Sequence, residues 1–83
     1  MTKTESTILA LIVSDRPELE ITSTTDLLST SVLDSFGIAI LVVQLEANFQ
    51  ITIPGHLLLP ENFLSIQSIA ALCERLNDSS SPL

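Results

Sequence analysis

The chain lacks tryptophan and tyrosine and contains one cysteine, one histidine and two glycines among its 83 residues. One cysteine cannot form an internal disulfide bond, and two glycines are too few for a glycine-rich phosphate-binding loop. One cysteine and one histidine cannot form a zinc site, and the acidic residues lack the spacing of a calcium loop, so we predict no metal site. With phenylalanine as the only aromatic residue type, the core must consist mainly of leucine, isoleucine, valine and alanine.

Basic residues are also scarce: three lysines and arginines stand against ten acidic residues, for a formal net charge of −7. This balance argues against nucleic acid and against anionic membrane surfaces as partners. Continuous apolar stretches such as residues 38–43 are far shorter than the roughly 20 residues of a membrane span. The first six residues lack the layout of a signal peptide, so we predict a cytoplasmic protein. The acidic charge suits docking on basic protein surfaces, although it can also serve solubility alone.

Three segments carry apolar residues at helical spacing. The first covers about residues 4–13 and ends before Pro17. The second covers residues 35–49, and the third covers about residues 65–76, where Ser65 can cap the start. The sequence therefore predicts an all-α fold, a small bundle of three main helices.

The connections between these helices differ in length. Residues 17–34 form a long first loop, and long loops in compact domains tend to be packed or functional. Residues 57–59, which lie between prolines, leave room for one short helical turn. A chain of this size accommodates one domain. We predict a single domain over 1–83, with an ordered core of about 4–77 and a flexible tail over 78–83.

The pair Asp34-Ser35 stands where the long loop meets the second predicted helix. A hydroxyl there is exposed, and a phosphate built on it would lie near free N–H groups and the positive end of the helix dipole. Asp34 could recruit a metal ion or a basic residue of an enzyme that modifies the serine. Taken alone the pair is a weak signal, because either residue can serve simply as a helix cap.

The surrounding chain resembles the acyl and peptidyl carrier protein family, which binds phosphopantetheine. The resemblance covers about residues 8–76 and centres on Asp34-Ser35-Phe36, which matches the family's Asp-Ser-Leu-like motif with phenylalanine in the apolar position. Further matching segments are Asp26-Leu27-Leu28, Leu41-Val42, Leu45-Glu46, Phe49, Ile53-Pro54, Pro60-Glu61-Asn62-Phe63, Ser65-Ile66 and Ile69-Ala70. The resemblance implies an acyl-carrier-like bundle of the freestanding type. It also implies that Ser35 bears a 4'-phosphopantetheine arm from coenzyme A and that Asp34 is recognised by the modifying enzyme.

The chain departs from the family pattern at two places. Ser31 stands where the family often has glycine, which a modest adjustment of the loop would absorb. The second helix contains one acidic residue, Glu46, whereas carriers of fatty acid synthesis usually have an acidic second helix. An apolar second helix is more similar to carriers of nonribosomal peptide and aminoacyl pathways, including standalone carriers that work with separate adenylating ligases.

The outward positions of the second helix are also apolar. They are Phe36, Ile40, Val43 and Ala47, because the apolar residues on the opposite side of this helix are expected to pack in the core. Either the helix is buried nearly all round, or these residues form an apolar docking surface beside Ser35. So small a bundle can hardly cover both faces, which favours a partner-binding surface.

We therefore predict a carrier and not an enzyme. It holds an acyl or aminoacyl group as a thioester on the arm at Ser35 and presents it to biosynthetic enzymes. The expected setting is a natural-product pathway of the nonribosomal peptide, aminoacyl or polyketide type. The expected partners of the monomer are a phosphopantetheinyl transferase, an adenylating ligase or acyltransferase, and downstream tailoring or condensing enzymes. The identity of the cargo stays open.

Two other functions compete with this prediction. An unmodified helical interaction module would use the surface of Phe36, Ile40 and Val43, with Ser35 only capping the helix. A small hydrolase would use Ser35 as a nucleophile, but no Ser-His-Asp set can be assembled around it. His56 follows a glycine and is predicted to be a solvated loop residue. Cys73 lies among the core-facing apolar residues of the third helix and is predicted to be buried.

Overall fold

The computed structural model describes residues 1–14 and 16–80, with the side chains of residues 78–80 excepted. Three α-helices account for most of these residues: α1 (Lys3–Val13), α2 (Ser35–Phe49) and α3 (Ile66–Ser80). Two 3₁₀ helices, Gly55–Leu57 and Pro60–Phe63, lie between α2 and α3. The described residues contain no strand. The predicted all-α bundle of three main helices with a long first loop is confirmed.

The helix ends follow from local capping. Thr2 and Glu5 form a reciprocal capping box at the start of α1. The Ser65 hydroxyl accepts a hydrogen bond from the backbone N–H of Ser68 (3.2 Å), as its predicted role as a cap requires. At the end of α2, Gln50 adopts a left-handed backbone conformation (φ 53°) and its N–H donates to the carbonyl oxygen of Glu46.

Two predicted boundaries differ from the structure. The third helix continues to Ser80 instead of ending near residue 76; of the tail predicted over 78–83, residues 81–83 lie outside the described residues. The short helical turn predicted over 57–59 is replaced by 3₁₀ helices on either side of Leu58 and Leu59. Leu59 has an extended backbone (ψ 144°) because it precedes Pro60, whose ring disfavours helical geometry in the residue before it.

One hydrophobic cluster holds the elements together, and it is aliphatic apart from Phe63 and Cys73. Its buried members are Ile8, Leu27, Leu33, Leu41, Leu45, Ile51, Ile53, Phe63, Ile66, Ile69, Ala70, Leu72 and Cys73. α1 contributes one of these residues and α3 contributes five, so α3 is the element around which the others pack. Among the described residues, no helix is both long enough and apolar enough to span a bilayer.

The long first loop is fastened to the bundle. Leu27 is fully buried, and its backbone N–H donates to the carbonyl oxygen of Leu64 at 2.7 Å. A second bond runs from the N–H of Gln67 to the carbonyl oxygen of Ser23 at 2.9 Å. These contacts fix the loop against the start of α3, and the loop in turn fixes the position at which α2 begins.

Candidate functional site

Asp34 and Ser35 divide two tasks at the start of α2. Asp34 has an extended backbone and is the N-cap: its Oδ1 accepts a hydrogen bond from the N–H of Gly37 at 2.7 Å. Ser35 is the first helical residue and is exposed. The sequence left open which of the two residues caps the helix. Because Asp34 does so, the Ser35 hydroxyl remains available for chemistry.

A compact turn over residues 26–33 positions Asp34 and Ser35 at the surface. The Asp26 carboxylate accepts hydrogen bonds from the N–H groups of Leu28 (3.1 Å) and Ser29 (2.9 Å). The bond from Ser29 is the largest cause that holds the pKa of Asp26 below its usual value. The N–H of Leu33 then donates to the carbonyl oxygen of Leu27 at 2.9 Å. Since Leu27 and Leu33 are both buried, the turn is anchored at both ends.

An open groove of about 650 Å³ runs beside Ser35. Its lining residues are Leu28, Ser31, Leu33, Asp34, Ser35, Ile38, Ala39, Leu58, Leu59, Pro60 and Phe63. Ser31, Asp34 and Ser35 are the polar members of this lining, and the remainder is apolar. The volume falls in the range of roughly 300–1,000 Å³ that is typical of small-molecule sites. The groove therefore suits a flexible ligand with both polar and aliphatic segments.

The α2 patch, which comprises Phe36, Ile40, Val43 and Ala47, is exposed at all four positions. The exposed fractions are 75 % for Phe36, 66 % for Val43 and 47 % for Ile40. These values exclude the alternative in which α2 is buried nearly all round. The single charged residue of α2, Glu46, is not a member of the patch, and its carboxylate accepts a hydrogen bond from the N–H of Ile53 at 2.9 Å. The patch therefore presents an apolar surface without charge.

Two exposed leucines beside the groove were not predicted from the sequence. Leu58 and Leu59 are 44 % and 41 % exposed and line the groove together with Ser35. The sequence pattern placed them in a possible short helical turn over 57–59. The available signal was the position of Leu59 directly before Pro60, which predicts extended backbone there instead of a helical turn.

The remaining reactive side chains lie elsewhere. His56 is exposed in the first 3₁₀ helix and does not line the groove beside Ser35. Cys73 is buried, as its position on the core stripe predicted. Burial, and secondly the charge of Glu74, raise the pKa of the Cys73 thiol to about 11. The thiol is therefore protonated at neutral pH and acts as a core residue.

An exposed serine at the start of α2, beside an open groove of a small all-α bundle, is the arrangement expected of a carrier domain. The comparison with family models matches the phosphopantetheine attachment site over residues 7–76. The comparison with curated proteins gave no match. The chain belongs to the phosphopantetheine-binding family of acyl and peptidyl carrier proteins. Members of this family hold acyl groups on a covalently attached 4'-phosphopantetheine and are generally not catalytic themselves.

The residues around Ser35 fit this prosthetic group. The phosphodiester needs an accessible hydroxyl, which Ser35 provides outside the core. The amide and aliphatic segments of the arm need polar and apolar neighbours, and the groove contains both kinds. No residue has to leave the core for the arm to be attached.

Proposed function

We propose that Ser35 bears the phosphopantetheine arm and that the protein carries an acyl or aminoacyl group between biosynthetic enzymes of a natural-product pathway. The observation that carries this proposal is the exposed Ser35 at the first position of α2, with the capping task taken by Asp34. The arm, when bound, supplies a terminal thiol that holds the cargo as a thioester. The protein supplies tethering, which raises the effective concentration of the cargo at each partner enzyme.

The start of α2 also suits the phosphate of the arm. The N–H of Gly37 is bonded to Asp34, whereas the N–H groups of Ser35 and Phe36 belong to the first turn, where helical partners are lacking. These groups and the helix dipole favour a negative charge near Ser35. Asp34 would serve two purposes, since its carboxylate fixes the start of the helix and remains exposed to a modifying enzyme.

We assign partner docking to the α2 patch. A partner that covers the patch meets apolar side chains and no charge, so its own contact surface should be apolar rather than basic. Burial of one such side chain contributes about 1.5–3 kcal/mol, which suffices for brief contacts with several enzymes. The apolar patch supports the natural-product setting, with an adenylating ligase or acyltransferase loading the arm and condensing or tailoring enzymes unloading it. The free, buried Cys73 is compatible with the reducing cytoplasm, where we place this function.

Intact-mass analysis tests the proposal. The wild type, Ser35→Ala and Ser31→Ala are each incubated with coenzyme A and a broad-specificity phosphopantetheinyl transferase. We expect the wild type and Ser31→Ala to gain the mass of one arm and Ser35→Ala to gain none, with unchanged circular dichroism. Ser31→Ala is the matched control because this exposed serine lines the same groove. A gain on Ser35→Ala would place the attachment site elsewhere.

The α2 patch also supports a second candidate function, an unmodified helical interaction module. In that case Ser35 is only the first residue of the helix, and the wild type gains no mass under conditions that modify a known carrier. We further propose that the protein has no catalytic activity of its own. A serine-directed phosphonate should accordingly leave the chain unlabelled.

A further inference from the structure

Ser31 has an unusual backbone conformation for its position. In the described part of the chain, two residues other than glycine have a positive φ: Ser31 (61°) and Gln50 (53°). Gln50 ends α2, where a left-handed residue is common. Ser31 ends no helix, and a side chain in this region is strained relative to glycine. A strained residue calls for an account of what its side chain does.

The turn around Ser31 is fixed by its neighbours. The N–H of Ser31 donates to the carbonyl oxygen of Leu28 at 3.1 Å, and the N–H of Leu33 donates to that of Leu27 at 2.9 Å. Leu27 and Leu33 are buried on either side of it. The backbone is therefore held in place from both directions, and the position of the Ser31 side chain is determined by the turn.

The side chain of Ser31 lines the same groove as Ser35 and is exposed. Within the described residues, its hydroxyl makes no hydrogen bond. The carboxylate of Asp34, the third polar member of the lining, accepts the bond from Gly37 and donates none. Among the polar side chains that line the groove, Ser31 is thus the one besides Ser35 whose hydroxyl can donate a hydrogen bond to a ligand there.

We propose that Ser31 is a binding residue for the prosthetic arm, its hydroxyl forming a hydrogen bond with an oxygen of the arm as the arm lies in the groove. This inference rests on the proposed attachment at Ser35. Leu58, Leu59 and Pro60 receive the aliphatic segments of the arm. The arm then spends part of its time docked along the groove, which orients the thiol and the cargo between transfers.

Arm mobility on the loaded protein tests this inference. Wild type, Ser31→Ala and Ser31→Gly are loaded with an isotope-labelled arm, and the motion and exchange of the arm amides are measured by NMR. Ser31→Ala removes the hydroxyl and keeps Cβ, whereas Ser31→Gly also relieves the backbone. Thr24→Ala is the control, because Thr24 is exposed on the same long loop and lies outside the groove.

We expect slower amide exchange and restricted arm motion in the wild type and in Thr24→Ala. In both Ser31 variants, exchange should speed up several-fold towards that of free pantetheine. Equal mobility in all four proteins would overturn the inference and leave the attachment at Ser35 standing. A change in Ser31→Gly alone would assign the effect to the backbone, and a change in Ser31→Ala alone would show that loss of the hydroxyl is not sufficient; either result would also overturn it. If intact mass shows no arm on the wild type, the proposed function fails first and this inference fails with it.

Discussion

The Oδ1 atom of Asp34 lies 2.7 Å from the backbone nitrogen of Gly37, and this bond closes the first turn of α2. The cap is tightly packed, since a Cβ at position 37 would lie 3.2 Å from the same oxygen atom. The two residues therefore have different roles: Asp34 caps the helix, and the hydroxyl of the following residue, Ser35, is not needed for capping.

Asp34→Asn should keep the stability of the protein and slow its modification. Asparagine caps a helix about as well as aspartate, whereas Asp34→Ala should cost about 1 kcal/mol, or roughly 4–8 °C in Tm. Loading by the transferase should slow about tenfold in both variants, because a charge-assisted contact contributes about 1.5 kcal/mol. Thermal melting and loading rates measure the two effects. Glu61→Gln, which removes an exposed carboxylate outside the groove, is the control. Loading of Asp34→Asn at the wild-type rate would restrict Asp34 to capping.

Val43→Glu should impair partner docking more than folding. Val43 is 66 % exposed, so its replacement should change the free energy of unfolding by no more than about 0.5 kcal/mol. The charge would have to be desolvated in an apolar interface, and we expect kcat/KM for loading by the transferase to fall about tenfold or more. Ala71→Glu, which adds the same charge to an exposed position of α3, should load normally. A large loss of Tm in Val43→Glu would instead show that Val43 supports the core.

Thiol titration should distinguish Cys73 from the arm. Cys73 is 1 % exposed and the pKa of its thiol is raised to about 11, so only about one molecule in a thousand is a thiolate at pH 8. In the native loaded protein, we expect one thiol to react rapidly with an alkylating reagent and a second to react only in denaturant. The unloaded protein is the control, with no rapid thiol and one that reacts after unfolding. Rapid labelling of Cys73 in the native state would contradict its burial.

The first loop should weaken in acid through Asp26. Hydrogen bonds from the backbone lower the pKa of Asp26 in the folded protein. A lowered pKa stabilises the fold above the unfolded-state value of about 4, and this contribution is lost as the pH falls through the folded-state value. The difference in Tm between the wild type and Asp26→Asn should therefore shrink between about pH 5 and pH 2. Glu20→Gln removes the same charge from an exposed position of the same loop and provides the comparison. Parallel curves for the wild type and Asp26→Asn would contradict the prediction.

Local patterns predicted the helices well where capping and apolar spacing agree. The bounds of α2 match the predicted range 35–49, because an aspartate cap precedes the segment and its apolar stripe is continuous. α3 ran past its predicted end because polar residues extend the helix there without contributing to the apolar stripe. The leucine pair Leu58-Leu59 was wrongly assigned to a helical turn. That prediction did not take into account that Pro60 disfavours helical backbone in the residue before it.

The amino-acid sequence by itself determined the all-α fold class and the outward face of α2, because both depend on residues close in the chain. Tertiary structure alone decided that Ser31 lies on the same groove as Ser35 and that Leu58 and Leu59 line it too. Those relationships depend on how the first loop is fastened to α3, through bonds such as that from Leu27 to Leu64. Contacts between residues so distant in the chain leave no periodic pattern in the sequence.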